Sequence, residues 1–313
     1  MKVYNLEQIK KRIDIPEIIK HQEEGFVLHT KGLANIPMPG YLKHSEPEGS
    51  YHIKYGHIAG DNFWVVKVAG GPHHLPIDGM MIAINTTSGQ PQFLLQDQGY
   101  LTALRTAIAG LITAKYLASK EINAIGVIGT GLQARMQVEL LPYLTDCKTV
   151  YVWGRSDNKL NLYKDEMTQK GFNVSVLHDV STLAEECNVI ITATASDSAI
   201  LKSSHIKPGT HITAVGADSP GKLELEPELV SKSDIIVVDS KSQCIDHGEV
   251  SHAYKQKLIT KSNLIELGEV INNPSLGRTD SKQITIADLT GLAVQDIQIV
   301  KSIIDFIDGG HDE

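Results

Sequence analysis

The stretch AIGVIGTGLQARMQVELL, residues 124–141, decides how this chain is read. AIGVI reads as a short buried strand, Gly129-Thr130-Gly131 breaks it, and LQARMQVELL resumes with helical spacing. A glycine turn between strand and helix is the setting of a dinucleotide-binding turn. The first glycine permits the sharp turn, and the second lets the backbone approach a pyrophosphate. The helix N-terminus adds unpaired N–H groups and positive potential. Ala134 takes the third small position, where helix and strand pack closely. Gly129, Thr130, Gly131, Leu132, Gln133 and Ala134 are therefore the candidate phosphate cradle. A bare packing turn is the competing reading, because GxGxxA alone is a weak signal.

The context around the turn weighs against that alternative. Strand-like runs at TVYVWG, VSVLH, VIITATA, HITAVG and DIIVVDS alternate with helix-like stretches, the pattern of a doubly wound parallel sheet. Upstream, residues 35–98 hold short β-rich segments (SYHIKYGHI, FWVVKVAGG, GMMIAINTT, PQFLLQD) separated by Gly, Pro and Asn, which predicts a mostly antiparallel sheet. TTSGQP reads as a hairpin turn. Residues 6–30 predict one or two amphipathic helices interrupted near Pro16, and LTALRTAIAGLITAKYLA predicts a buried helix to about 119. LTGLAVQDIQIVKSIIDFI reads as a final amphipathic helix, and DGGHDE as a frayed end. The expected fold class is α/β: a Rossmann-type doubly wound parallel sheet over 119–289, plus an α+β substrate-binding and dimerisation domain from 1–118 with 290–313.

The second strand of such a sheet ends near VYVWGRSDN, where an acid would accept hydrogen bonds from the adenosine ribose. Arg155 and Ser156 stand there instead, and a guanidinium with a hydroxyl suits a 2′-phosphate. NADP(H) is therefore favoured, with NAD(H) as the alternative, since Asp157 follows closely and Arg155 could be a plain surface residue. Thr192, Ala195 and Ser196, at the end of the fourth strand of this sheet, are candidates to border the nicotinamide ribose. Ordinary strand-end chemistry competes with that assignment.

Composition bounds the rest. With 313 residues, 42% hydrophobic and 21% charged, the chain is long enough for two domains and has no apolar run near the roughly 18 residues of a membrane span. A net charge of −8 without a basic tract argues against nucleic acid as a partner. Cys147, Cys187 and Cys244 have no ligand or disulfide spacing, and MKVYNLEQIKKRID lacks the apolar core of a secretory signal, so a cytoplasmic location is expected. His52, His57, His73 and His74 could be read as metal ligands, but no carboxylate spacing supports them and no metal is expected.

Three further segments carry chemistry: VVKVAG with Lys67, YLTALRTAIAG with Arg105, and TAVGADSPGKLEL with Asp218. Together with GVIGTGLQA, in this order and spacing, they resemble the ornithine cyclodeaminase and mu-crystallin family from about HIKYGHI to LTGLAVQD. The resemblance implies a homodimer built through the β-rich domain, and a nicotinamide facing a pocket beside it. It implies amino-acid cyclodeamination, imine reduction, alanine dehydrogenation or ligand binding as the activity, so fold alone does not fix function.

A buried Arg105 would be costly without an anion, and a substrate carboxylate fits its two-pronged donor geometry. By resemblance Lys67 shares that pocket. An internal salt bridge is the bland alternative for both. Asp218 matches the family's acid beside the substrate nitrogen, able to stabilise an iminium or exchange its proton; from spacing alone it could be a loop acid or helix cap.

The better-known cyclodeaminases of that family carry an early arginine which LANIPMPGYLKH lacks, and a Met-Pro segment with an acid where this chain reads HIKYGH. His52 and Lys54 are expected to take over part of the anion binding. Lys54 would repel the distal ammonium of a diamino acid, which counts against cyclodeamination. The expected function is reduction of a small cyclic imine carboxylate, Δ1-pyrroline-2-carboxylate to L-proline, with Δ1-piperideine-2-carboxylate one methylene larger. Ornithine or lysine cyclodeamination, amino-acid dehydrogenation and a mu-crystallin-like binding role are the alternatives.

Overall fold

The computed structural model describes residues 1–308 except His73, His74 and Pro76. The chain forms two compact units: Met1–Arg105 with the segment from Leu292 onward, and Thr106–Gly291.

Strand β1 (Lys2–Asn5) leads into α1 (Leu6–Lys10), where Asn5 and Gln8 form a reciprocal capping box. Asp14 caps α2 (Ile15–Thr30), and Pro16 sits in its first turn, where a missing N–H is harmless. The proline expected to interrupt a helix thus helps to start one. Then follow β2 (Ala34–Asn35), β3 (Gly40–Ser45), β4 (Glu48–Ile58), β5 (Phe63–Pro72), β6 (Asp78–Asn85) and β7 (Pro91–Gln96). They pair in the order β1-β7-β6-β5-β4-β2, with β3 also on β4. β1 and β7 run parallel, and the remaining pairs antiparallel.

Alternation along these strands separates two faces. Lys54, Gly56 and Ile58, then Val65, Lys67 and Ala69, then Met81 and Ala83, then Phe93 and Leu95 are all buried. On the other face Ile53, Val66, Val68, Ile82, Ile84 and Leu94 are half-buried, while Tyr55 and Met80 are exposed. Helix α3 (Tyr100–Leu117) follows, with the carboxylate of Asp97 accepting from the Leu101 N–H at 2.8 Å. The division between units falls inside α3.

The second unit contains β8 (Ile125–Ile128), α4 (Leu132–Leu140), β9 (Thr149–Trp153), α5 (Asp157–Gln169), β10 (Asn173–Val176), α6 (Val180–Glu186) and β11 (Val189–Thr192). It continues with β12 (His211–Ala214), α7 (Pro227–Lys232), β13 (Ile235–Val238), α8 (Lys241–His247), α9 (Glu249–Lys255), β14 (Leu264–Glu266), α10 (Leu267–Asn272) and β15 (Thr285–Asp288). All eight strands run parallel in the order β10-β9-β8-β11-β12-β15-β13-β14. The order reverses at β8, which places a ligand-binding crevice at its carboxyl end.

The sequence reading supplied six of these strands. It missed β14, only three residues long, and β15, which is wholly buried between β12 and β13. The Thr-Ile-Ala-Asp of β15 looks half-polar because its end residues serve as buried hydrogen-bonding groups. Helix α11 (Ala293–Asp308) then returns to the first unit and packs on α2, β4 and β5. It begins four residues later than the apolar run suggested. Gly25 of α2 lets the helices approach: a Cβ there would lie 2.7 Å from Cγ of Gln298.

Candidate active site

In the second unit, β8 ends in Gly129 at φ +120°, where a Cβ would come within 2.6 Å of the Ala193 carbonyl oxygen. Only glycine fits both the conformation and the space. Gly131 is the N-cap of α4, and a Cβ there would meet nothing within 4 Å, so the turn leaves room beside a helix N-terminus. That opening and the conformation fit a dinucleotide pyrophosphate. Ala134 is fully buried under the turn, whereas Leu132 is exposed and Gln133 half-buried.

Arg135 braces the turn from its inner side. Its Nη1 donates to the carbonyls of Thr130 and Gly131, its Nε donates to Glu166 at 2.6 Å, and its guanidinium lies 5.3 Å from the Tyr163 ring centre. The sequence reading missed this residue, although an arginine one step after the motif was a visible signal.

At the end of β9, Arg155 is exposed and Ser156 caps α5 by accepting from the Lys159 N–H at 3.5 Å. Gly154 packs against Thr130 of the glycine turn. Beyond β11, Ala195 is exposed, and the Ser196 hydroxyl is engaged in its own turn, donating to the Ser198 carbonyl at 2.7 Å. Thr192 is fully buried, and its hydroxyl donates to Glu224 at 2.8 Å. The Thr192 side chain therefore serves the interior of the sheet.

Asp218 lies in the loop after β12, half-exposed, with the Lys222 ammonium donating to its carboxylate at 2.6 Å. Glu224 closes this loop. Its carboxylate accepts from Thr192, from the Thr194 N–H at 2.6 Å and from the Gly216 N–H at 3.0 Å. Burial pushes the Glu224 carboxyl above the usual range, against the lowering effect of these hydrogen bonds. The Glu249 carboxylate in turn accepts from the N–H groups of Glu224 and Leu225 at 2.8 and 2.9 Å.

The cations gather in the first unit. Lys54 of β4 and Lys67 of β5 are register partners on the buried face, at 7% and 2% exposure. Arg105 reaches the same cluster from α3 and is 4% exposed. Burial lowers the Lys67 ammonium to about 7; Asp296 and Asp97 oppose that shift, while Arg105 and Lys54 add to it.

Asp296 of α11 accepts from Arg105 Nε at 3.0 Å and lies 3.7 Å from Lys67 Nζ. The internal salt bridge weighed as the bland alternative is thus present for both cations. It engages two of the three guanidinium nitrogens: Nε bonds Asp296, Nη1 bonds the Gln295 side chain at 3.3 Å, and Nη2 has no hydrogen-bond partner among the described residues. Asp97 and Asp296 were not expected from the sequence. His52 lies two residues from Lys54 on the same strand, with its ring edge-on to Tyr41 at 4.7 Å.

His57 is placed near the Asp61 carbonyl at 3.2 Å, while His73 and His74 lie outside the described residues. Among the described residues no three His, Cys, Asp or Glu are grouped to hold a metal, and no helix is long and apolar enough to cross a membrane. Cys187 and Cys244 are buried, Cys147 half-buried, and all three are unpaired.

A parallel sheet whose order reverses at a braced glycine turn defines a Rossmann-type dinucleotide-binding unit, here accompanied by a separate sheet unit carrying buried cations. The chain belongs to the ornithine cyclodeaminase/mu-crystallin family, whose model matches residues 2–311. It is 34% identical over 302 residues to the alanine dehydrogenase of Archaeoglobus fulgidus, with 95% of this chain and 92% of that one covered. It is 31% identical over 229 residues to the Δ1-pyrroline-2-carboxylate reductase of Bacillus cereus, with 72% and 70% covered. The solved structure of Thermococcus litoralis Δ1-pyrroline-2-carboxylate reductase in complex with NADH and L-proline matches with a TM-score of 0.91 at 25% identity, covering 99% and 98%.

Proposed function

We propose that this chain is an NAD(P)H-dependent reductase of a small imino carboxylate, with Δ1-pyrroline-2-carboxylate, reduced to L-proline, as its substrate. The observation that carries this reading is the buried cluster in which Lys54, Lys67 and Arg105 meet Asp97 and Asp296. Among these five groups three cations stand against two carboxylates, an excess that suits a substrate carboxylate. Arg105 offers Nη2, and Lys67 adds its ammonium. His52 and Lys54 extend the same anion-binding strand.

Gly129 to Ala134 hold the pyrophosphate, Arg155 with Ser156 faces the adenosine ribose, and Ala195 and Ser196 border the other ribose. The dinucleotide, when bound, supplies the hydride that converts the imine carbon to the amine. Asp218 keeps the substrate nitrogen protonated and stabilises its positive charge. Lys67 and Arg105 fix the carboxylate, so that orientation supplies most of the rate. An exposed Arg155 favours NADP(H), although the Thermococcus litoralis relative was solved with NADH. The uncovered apolar face of the sheet, with Tyr55 and Met80 exposed, supports a homodimer through this unit.

A second reading, alanine dehydrogenation, is favoured by the near full-length similarity to the Archaeoglobus fulgidus enzyme. One assay separates the two: oxidation of NADPH and NADH with freshly generated Δ1-pyrroline-2-carboxylate, beside pyruvate with ammonia. The cyclic imine should be turned over, and Arg105→Ala should lower kcat/KM by about tenfold to a hundredfold, the worth of a charged hydrogen bond. Turnover of pyruvate with ammonia alone would replace this reading by the second; no oxidation with either would overturn both.

A further inference from the structure

Helix α11 aims two adjacent polar residues at the cation cluster, although every residue from Ala293 to Val300 is buried. Asp296, in the first turn, is 1% exposed. Its Oδ1 accepts from Arg105 Nε at 3.0 Å, and its Oδ2 lies 3.7 Å from Lys67 Nζ without a hydrogen-bond partner among the described residues. Gln295 grips Arg105 twice more: its Oε1 accepts from Nη1 at 3.3 Å, and its Nε2 donates to the Arg105 carbonyl at 3.1 Å. The same Oε1 also accepts from the Leu292 N–H at 2.8 Å, which fixes the side chain.

We propose that Asp296 is a positioning residue for the carboxylate site: it holds Arg105 through Nε, beside Gln295 on Nη1, so that Nη2 faces the substrate, and its other oxygen serves as the internal counterion of Lys67. The proposal rests on the imino-carboxylate reading and deepens it. Five charged groups meet in the cluster: Lys54 from β4, Lys67 from β5, Asp97 from the turn before α3, Arg105 from α3 and Asp296 from α11. The neighbouring strands add Met81 and Leu95, which are apolar.

Without Asp296, Lys67 would lose the nearer of the two carboxylates that oppose its neighbours Arg105 and Lys54. The proton most easily lost is that of Lys67, because a guanidinium stays charged and burial already draws Lys67 down to about 7.

The sign follows directly. Lys67 binds an anion when protonated, so carboxylate affinity is full below about pH 7 and falls as pH rises through the Lys67 titration. Removing the Asp296 charge removes a term that raises Lys67, and the fall then begins at lower pH. Removing Lys54 removes a repulsion, and the fall begins at higher pH. A role confined to packing would lower affinity equally at every pH.

The test is the titration of Lys67 followed by NMR in lysine-labelled protein carrying bound oxidised cofactor, with the signal assigned through Lys67→Met. Alongside it, the Kd of pyrrole-2-carboxylate, a planar anion across this range, is measured from pH 5.5 to 8.5. Asp296→Asn should lower the Lys67 midpoint by about one unit or more, and Lys54→Met should raise it. At pH 8 the Asn variant should bind the probe about tenfold more weakly than wild type, with most of the loss recovered at pH 5.5. A midpoint unmoved in Asp296→Asn overturns the proposal, and if that variant does not fold, a midpoint unmoved in Lys54→Met does so. A wild type that binds no probe and reduces no imine, yet shows the shifted midpoints, overturns the substrate reading and leaves the Asp296–Lys67 linkage standing.

Discussion

Replacing Glu224 by alanine should loosen the Asp218 loop selectively, and the size of the effect can be worked from three hydrogen bonds. The carboxylate accepts from Thr192 Oγ1, Thr194 N–H and Gly216 N–H, at 2.8, 2.6 and 3.0 Å. Each buried donor left without an acceptor costs about 1–3 kcal/mol. The Thr192 hydroxyl can rotate to a new acceptor and the Thr194 amide is only half-buried, so the full cost falls chiefly on Gly216. Against this, alanine relieves the burial of a carboxyl already pushed upward, and relieves Glu249, whose carboxyl is raised by burial and by the nearby Glu224. The net loss is about 1–3 kcal/mol, which at its upper end is a substantial part of the stability of an ordinary domain.

Glutamine discriminates mechanism from bulk. Its amide oxygen can take the Oε2 position and keep the Thr192 and Gly216 donors, while its NH2 meets the Thr194 N–H. One donor is lost, at about 1–2 kcal/mol. Because the chain has two compact units, a single unfolding free energy is poorly defined, and hydrogen exchange read residue by residue is the better assay. In Glu224→Ala the amides of Thr194 and Gly216 should lose protection, with those of Glu224 and Leu225 less affected because Glu249 holds them. In Glu224→Gln only Thr194 should change strongly. Equal exchange in both variants, or unchanged protection at Gly216, would refute the role assigned to the carboxylate.

Two further outcomes follow from single residues. Gly129→Ala places a methyl 2.6 Å from the Ala193 carbonyl oxygen at a φ that alanine avoids, a strain of about 1–3 kcal/mol before the clash is counted; NADPH titration by fluorescence should show binding weakened by at least about tenfold. His211 is fully buried between the hydroxyls of Thr285 and Thr213, and burial together with Arg278 holds it down at about 3. The unfolded chain therefore binds a proton between about pH 6.5 and 3 that the folded chain refuses, and stability is lost as pH drops through that window, by about 1.4 kcal/mol per unit. Denaturant midpoints should show this slope flattened in His211→Gln, and an unchanged slope would assign the acid sensitivity to other groups.

The legible parts of this fold are those whose cause is local. Gly129 and Gly131 announce the turn because backbone conformation and close approach require them, and the alternation in β4 to β7 follows from one buried face. The central strand β15 was hidden because Thr285 and Asp288 look like surface residues until their partners are known. Thr285 bonds His211 and the Leu117 carbonyl, and Asp288 accepts from the Val250 N–H at 3.0 Å. The same holds for Asp296, 191 residues from the arginine it binds. A signal existed in GLAVQDIQIV, since a Gln-Asp pair inside an otherwise apolar helix start must find polar partners.

Acids used inside the protein explain how a chain of net charge −8 can carry a site for a carboxylate. Asp97, Asp239, Asp288, Glu224 and Glu249 all accept from backbone N–H groups and are almost fully buried, so their charge is spent on turns and helix starts. Asp296 is different: its partners are the side chains of Arg105 and Lys67. An internal counterion weakens the pull of these cations on a substrate, yet without one the buried charges would be lost or displaced. A site with the cations alone would bind anions more strongly but in several poses. With Asp296 on Nε and Gln295 on Nη1 of Arg105, Nη2 is the nitrogen left for the proposed carboxylate, and a single orientation there is what delivery of hydride to the adjacent carbon would demand. Under that proposal the arrangement gives up affinity for alignment, and α11, far from the glycine turn in sequence, would take part in the chemistry.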